Sequence, residues 1–194
     1  MSFTEALGQK ATLVFIRFIV LLVLLLSTAP GFSSHYHGGE ISYKYLGGTN
    51  YLVQVKALTD CGGIGPPTAM TLDYTSASCG LSGQVTLPLN NYISTPEICP
   101  SLTSQSNCNN GLGSLDGYYL STYQGSLTLP KNCNDWVFST EVCCRNYSDN
   151  VDNNPGGDYY IFSTLDNLNF TGNNSPVFPD VPNIYLSPNQ LNSV

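Results

Sequence analysis

The chain has 194 residues, with 6 basic and 13 acidic side chains and a formal charge of −7 at pH 7. Lys44, Lys56, Lys131 and Arg145 stand singly, and a phosphate-binding surface needs basic clusters, so the composition argues against nucleic acid as a partner. Charged residues make up only 10%, while Asn, Ser, Thr, Gly and Tyr are abundant, which suits an extracellular β-protein.

The first element in chain order is an export signal. Lys10 and Arg17 flank an uncharged apolar run at 18–26, and small residues follow at Ser27, Ala29, Gly31, Ser33 and Ser34. A basic start, an apolar core and a small-residue exit describe a secretory signal peptide. The rival reading is a membrane anchor. The apolar stretch counted from Ala11 is broken by Arg17, however, and falls short of the ~20 residues needed to span. Cleavage is expected between Gly31 and Ser34, so 1–33 is signal, 34–182 is domain, and 183–194 is an extended tail that reads as a truncated link to a following domain. No membrane span is expected after cleavage. Losing Glu5, Lys10 and Arg17 leaves 4 basic and 12 acidic residues, near −8. The remaining chain, about 160 residues, suffices for one domain with its own core.

Beyond the signal the pattern has period two. Ile41, Tyr43 and Tyr45 alternate with Ser42 and Lys44, the turn residues Gly47-Gly48-Thr49-Asn50 follow, and then Tyr51, Val53 and Val55 alternate with Leu52, Gln54 and Lys56. This predicts a hairpin. Further strands are expected at 69–75, 84–87, 118–129, 136–145, 158–165 and 183–186, with loops rich in Gly, Pro and Asn between them. Short strands so spaced predict an all-β fold, a disulfide-stapled Ig-like β-sandwich. Pro176, Pro179, Pro182 and Pro188 mark an extended exit segment.

Seven cysteines, Cys61, Cys79, Cys99, Cys108, Cys133, Cys143 and Cys144, follow the signal. They contain no CxxC pair and have no HExxH partner, so neither a zinc site nor any other metal site is expected. In an exported chain they read as disulfides. Adjacent residues on a strand face opposite ways, so Cys143 and Cys144 should take different partners. The pairings expected are Cys99–Cys108 closing a local loop, Cys61–Cys79 linking neighbouring strands, and Cys133 with Cys143 or Cys144.

His35-Tyr-His-Gly-Gly-Glu-Ile-Ser-Tyr43, Tyr51-Leu-Val-Gln-Val-Lys-Ala-Leu-Thr-Asp-Cys61, Cys133-Asn-Asp-Trp136, Cys143-Cys-Arg-Asn146 and Asn174-Ser-Pro-Val-Phe178 occur in that order. The series resembles the N-terminal domain of large secreted surface proteins of Bacteroidetes-type bacteria. Those proteins continue into Ig-like, cadherin-like or PKD-type repeats, and many end in a gliding-motility-associated or type IX secretion sorting domain. The resemblance implies an extracellular or cell-surface module with no catalytic residue. The family often carries a cysteine near Ser187, so a serine there would leave one of the seven cysteines without its mate.

Other chemistry finds little support in the residues. Glu40, Asp60, Asp135 and Glu141 could include a glycosidase pair, which needs two carboxylates roughly 5–10 Å apart, but acids at strand ends are ordinarily solvated or capping turns. Asp149, Asp152, Asn153, Asn154, Gly156, Gly157 and Asp158 form an oxygen-rich loop of the kind calcium uses. Their spacing matches no EF-hand, and a turn-rich loop is the preferred reading. Ser33-Ser34-His35 could chelate copper if exposed by cleavage, though His35 and His37 read more simply as a polar lead into the first strand. Trp136 is expected in the core against a disulfide, with glycan stacking as the rival. Tyr118, Tyr119, Tyr123, Tyr159 and Tyr160 should split between core and an exposed face. Sequons stand at Asn146, Asn169 and Asn173, unmodified in the bacterial setting that the resemblance implies. The expectation is a non-enzymatic secreted or cell-surface module for adhesion or structure, without cofactor, meeting an unknown protein or glycan ligand. The alternative is a carbohydrate-binding module or polysaccharide hydrolase.

Overall fold

The strict alternation over 41–55 forms the expected hairpin. Strand β1 (Tyr36–Gly47) pairs antiparallel with β2 (Asn50–Asp60), with Ile41 opposite Val55, Tyr43 opposite Val53 and Tyr45 opposite Tyr51. Gly47 and Gly48 turn the chain at φ 123° and 60°, where a side chain would be strained. The computed structural model describes residues 36–94, 100–109, 113–143, 145 and 157–178, together with Arg17. The chain divides into two units, Met1–Phe32 and Ser33–Val194, and all the strands belong to the second. The export signal, its cleavage point and the strand expected at 183–186 lie outside the described residues, among which no helix is long and apolar enough to cross a membrane.

Five more strands follow: β3 (Ala69–Ser76), β4 (Leu81–Ser94), β5 (Tyr118–Thr128), β6 (Trp136–Val142) and β7 (Tyr159–Leu165). Their lateral order is β1-β2-β5-β4-β3-β6-β7, and every pairing is antiparallel. In chain-order letters this is A-B-E-D followed by C-F-G, the two sheets of an immunoglobulin-type sandwich. Strand β4 serves both sheets. Leu81 to Pro88 pairs with β3, whereas Leu89 to Ser94 pairs with β5 across a register shift between Leu89 and Asn91. A bulge bends a strand and changes its partner, so the strand expected at 84–87 is 14 residues long. Between β4 and β5 the chain makes two 3₁₀ turns, Pro100–Gln105 and Asn107–Asn109.

The inner faces supply the core. Tyr51, Val53, Val55, Leu72, Leu87, Tyr123, Trp136, Phe138 and Leu165 are buried together. Tyr43 ties the sheets, its ring meeting Phe138 at 5.5 Å and Tyr51 at 6.0 Å in edge-on geometry. Burying each such side chain stabilises by about 1.5–3 kcal/mol.

The described disulfides are Cys61–Cys108 and Cys79–Cys133, which corrects all three expected pairings. The reason is topological. Ser76 lies opposite Trp136 in the β3–β6 ladder, so Cys79, three residues beyond, meets Cys133, three residues before. Cys61 follows the end of β2, where its N–H donates to Gly117 O (2.9 Å), and the second 3₁₀ turn brings Cys108 beside it. Strand β6 stops at Val142 rather than at 145, so Cys143 lies past the ladder and the opposite-face argument does not apply. Cys143 is itself disulfide-bonded, to a partner outside the described residues, where Cys99 and Cys144 also lie. Three bridges are the most that seven cysteines can form.

Candidate functional site

Strands β1 and β7 close the sandwich along one flank without forming a ladder. Tyr36 and Tyr159 stack at 5.5 Å, and the Tyr43 hydroxyl donates to Thr164 O (2.7 Å). After Gly172 the chain returns to this flank in extended form. Ser175 N donates to Tyr43 O (3.0 Å), Tyr43 N donates to Ser175 Oγ (2.8 Å), and Tyr45 N donates to Asn174 Oδ1 (2.7 Å). Lys56 Nζ, in an ion pair with Glu40 at 2.6 Å, also donates to Phe178 O (3.1 Å). These bonds leave a groove of about 450 Å³ between Gly39 and Ile41 of β1, Tyr160 and Phe162 of β7, and Pro176 and Phe178 of the returning segment.

The rim of this groove is apolar and wet. Tyr160 is 54% exposed, Phe162 62%, and Val177 and Phe178 each 65%. The rings of Tyr160 and Phe162 lie 6.0 Å apart, tilted by 31°. Exposed large side chains clustered in this way are unusual on a sheet surface and mark contact sites. Deeper in the sandwich, the buried hydroxyls of Tyr159 and Thr59 make no hydrogen bond among the described residues. Burial pushes Tyr123 and Tyr159 up to about 12, and the Tyr36 hydroxyl near both pushes the same way. Arg145 draws Tyr159 down by less. A Cβ on Gly39 would collide with Lys56 O and the Tyr159 hydroxyl, so only glycine lets β1 approach β7 here.

The residues singled out in the sequence are scattered instead. Trp136 is fully buried, with its ring 5.8 Å from Tyr74 and its Nε1 donating to Lys131 O (3.2 Å). No ring face reaches solvent, so Trp136 is a core residue beside Cys133 and not a stacking platform. Asp135 accepts from the hydroxyls of Ser76 and Ser78 and from Ser78 N, and these bonds hold its carboxyl below the ordinary value. Asp60 accepts from Gly62 N, and Glu40 pairs with Lys56. Glu141 stands exposed on β6 opposite Tyr160. No two of these four carboxylates share a partner among the described residues. No group of three His, Cys, Asp or Glu that could hold a metal ion occurs among them either. Most of the oxygen-rich loop, His35 and Asn146 lie outside the described residues, while the His37 ring meets Tyr118 edge-on at 4.2 Å. Asn169 is exposed and donates to Asp166 Oδ2 (2.8 Å), and Asn173 donates to Asp166 O (3.2 Å). The tyrosines do split, with Tyr123 and Tyr159 buried, Tyr118 and Tyr119 half-buried and Tyr160 exposed.

Phe162 was not singled out, and Val177 and Phe178 were named only within the Asn174–Phe178 motif. The signal for Phe162 was present: Tyr159-Tyr-Ile-Phe162 is apolar at both phases of its strand, so on a sheet with one buried face some of these side chains meet water. No family model matches the chain, and no curated protein or solved structure matches it.

Proposed function

We propose that the protein is a non-enzymatic module of the cell exterior that holds another molecule against its β1–β7 flank, serving adhesion or the assembly of a surface structure. The observation that carries this reading is the groove with its exposed aromatic rim. The disulfides fit an oxidising, extracellular setting. Export and display at the surface follow from the signal-like start and from the resemblance to bacterial surface proteins. The test is protease shaving of intact source cells, followed by adhesion assays with the purified domain as competitor. The reading expects release of the domain from intact cells and loss of competition in a Tyr160→Lys, Phe162→Lys double variant. A protein found inside the cell with reduced cysteines would overturn it.

One observation favours a second reading. Tyr160 and Phe162 present two neighbouring exposed rings, 6.0 Å apart and tilted by 31°, and sugar rings stack on exposed aromatic faces. Binding to neutral polysaccharide that disappears with these two rings would make the module a carbohydrate binder, at a place other than Trp136.

A further inference from the structure

The two strands that wall the groove both present free edges to it. Tyr43 exchanges its backbone bonds with Ser175 and so points its N–H and C=O away from β2. By the two-residue period, Ile41 and Gly39 point the same way. On β7, Thr164 O receives the Tyr43 hydroxyl and so faces away from β6, and Phe162 and Tyr160 share its phase. Among the described strands β1 forms a ladder only with β2, and β7 only with β6, and an isolated parallel bridge from Tyr36 to Arg145 lies at the start of β1, before Gly39 and Ile41. The polar edges thus end in a groove whose side chains are apolar.

The chain itself shows what such an edge accepts. Its returning segment runs antiparallel to β1, with Asn174 beside Tyr45, Ser175 beside Tyr43 and Phe178 beside Lys56. Among the described residues this ladder goes no further than Ser175, and no backbone bond joins Val177, the next residue in its phase, to Ile41. The next positions on the same edge, Ile41 and Gly39, are left to the groove.

We infer that this groove accepts an extended peptide strand from a second protein by β-strand addition, continuing along β1 the ladder that Ser175 begins. The inference rests on the flank being the binding surface, and it names the kind of partner. Charge narrows the partner further. Lys56 is already held by Glu40, while Glu141 stands exposed opposite Tyr160 and Asp158 precedes Tyr159. An uncharged strand with alternating apolar side chains fits this rim, where Arg145 beside Tyr159 offsets the acids.

The probe is a labelled octapeptide of alternating Thr and Val, added to the full disulfide-bonded domain. Its counterpart carries N-methyl groups on alternate amides, which preserve the side chains but remove the donors. The expected result is a shift of the Gly39, Ile41, Tyr160 and Phe162 amide resonances, with hydrogen exchange slowed at least tenfold at those sites. The N-methylated peptide, and the parent peptide on the Tyr160→Lys, Phe162→Lys variant, should bind at least tenfold more weakly. Tyr92→Lys, equally exposed but on β4, should bind as the parent does. Equal affinity for the two peptides would reduce the effect to apolar sticking, and shifts confined to other residues, or none, would likewise overturn the inference. Oligosaccharide binding at the rings with no peptide binding would overturn it in favour of the glycan reading. Adhesion that persists without peptide binding would sink the strand addition and leave the proposed function standing.

Discussion

The corner around Trp136 and the seam between β1 and β7 are built from similar residues to opposite ends. At the corner, Asp135 gathers both serine hydroxyls and a backbone N–H, Trp136 Nε1 reaches Lys131 O, and the Cys79–Cys133 bridge fixes the two connections. Cys133 and Asn167 exchange bonds, from Cys133 N to Asn167 Oδ1 (2.8 Å) and from Asn167 N to Cys133 O (3.1 Å). At the seam, aromatic rings stand in water, and the buried Tyr159 hydroxyl makes no hydrogen bond among the described residues. Satisfied polar networks rigidify, whereas unsatisfied groups and uncovered apolar surface cost stability and are kept where something else meets them. The corner holds the fold together, and the seam is where the fold is left unfinished.

The largest effect should come from removing the bridges. In the chain-entropy treatment, closing loops with separations of 47 and 54 residues contributes about 4 kcal/mol each. Together this rivals the typical net stability of roughly 5–15 kcal/mol. A reduced sample should therefore melt far below the oxidised one or be unfolded at room temperature. Equal melting temperatures would show that the core alone suffices. Trp136→Ala comes next. It empties a fully buried site and should cost about 3–5 kcal/mol in chemical denaturation, a loss concentrated at the corner.

Some of this contrast was legible in the sequence. The β1–β2 hairpin was, because the alternation is clean and a Gly-Gly turn separates its halves. The disulfide pairing was not, because it depends on β3 lying beside β6, a contact between residues some 60 positions apart that no local pattern encodes. The length of β4 was hidden by Pro88 and by its change of sheet at the bulge. The flank was half visible. Tyr160 was named as a tyrosine for either core or surface, but only the register of β6 against β7 shows that Phe162 stands with it.

Alkali should act on the seam before the corner. Tyr123 and Tyr159 titrate near 12 in the fold against 10.0 for an unhindered phenol, and Tyr43 and Tyr51 are also raised by burial. A raised pKa means that the folded state holds its proton longer than the unfolded one. The stabilisation is therefore complete below pH 10 and is lost as pH climbs from 10 through 12. Denaturation midpoints measured across that window should fall, tracking the ultraviolet signal of tyrosinate. Midpoints flat to pH 12 would mean that these phenols are not desolvated. Ser175→Ala tests the same flank at lower cost. It strips the acceptor from Tyr43 N and should cost about 1–3 kcal/mol, with amide exchange speeding up at Tyr43 and Tyr45 before it does so at Trp136.

The smallest stability effect is the most informative for function. Tyr160 and Phe162 are more than half exposed and touch little besides each other, so replacing both with Lys should move stability by no more than about 0.5 kcal/mol per site. The rings would then contribute almost nothing to folding while breaking the rule that large apolar side chains avoid water in clusters. A loss above about 2 kcal/mol for the pair would instead make the rings part of the structure, returning the seam to the same category as the corner. An unchanged melt combined with lost binding would separate the two regions completely, one holding the fold and the other free to serve a partner.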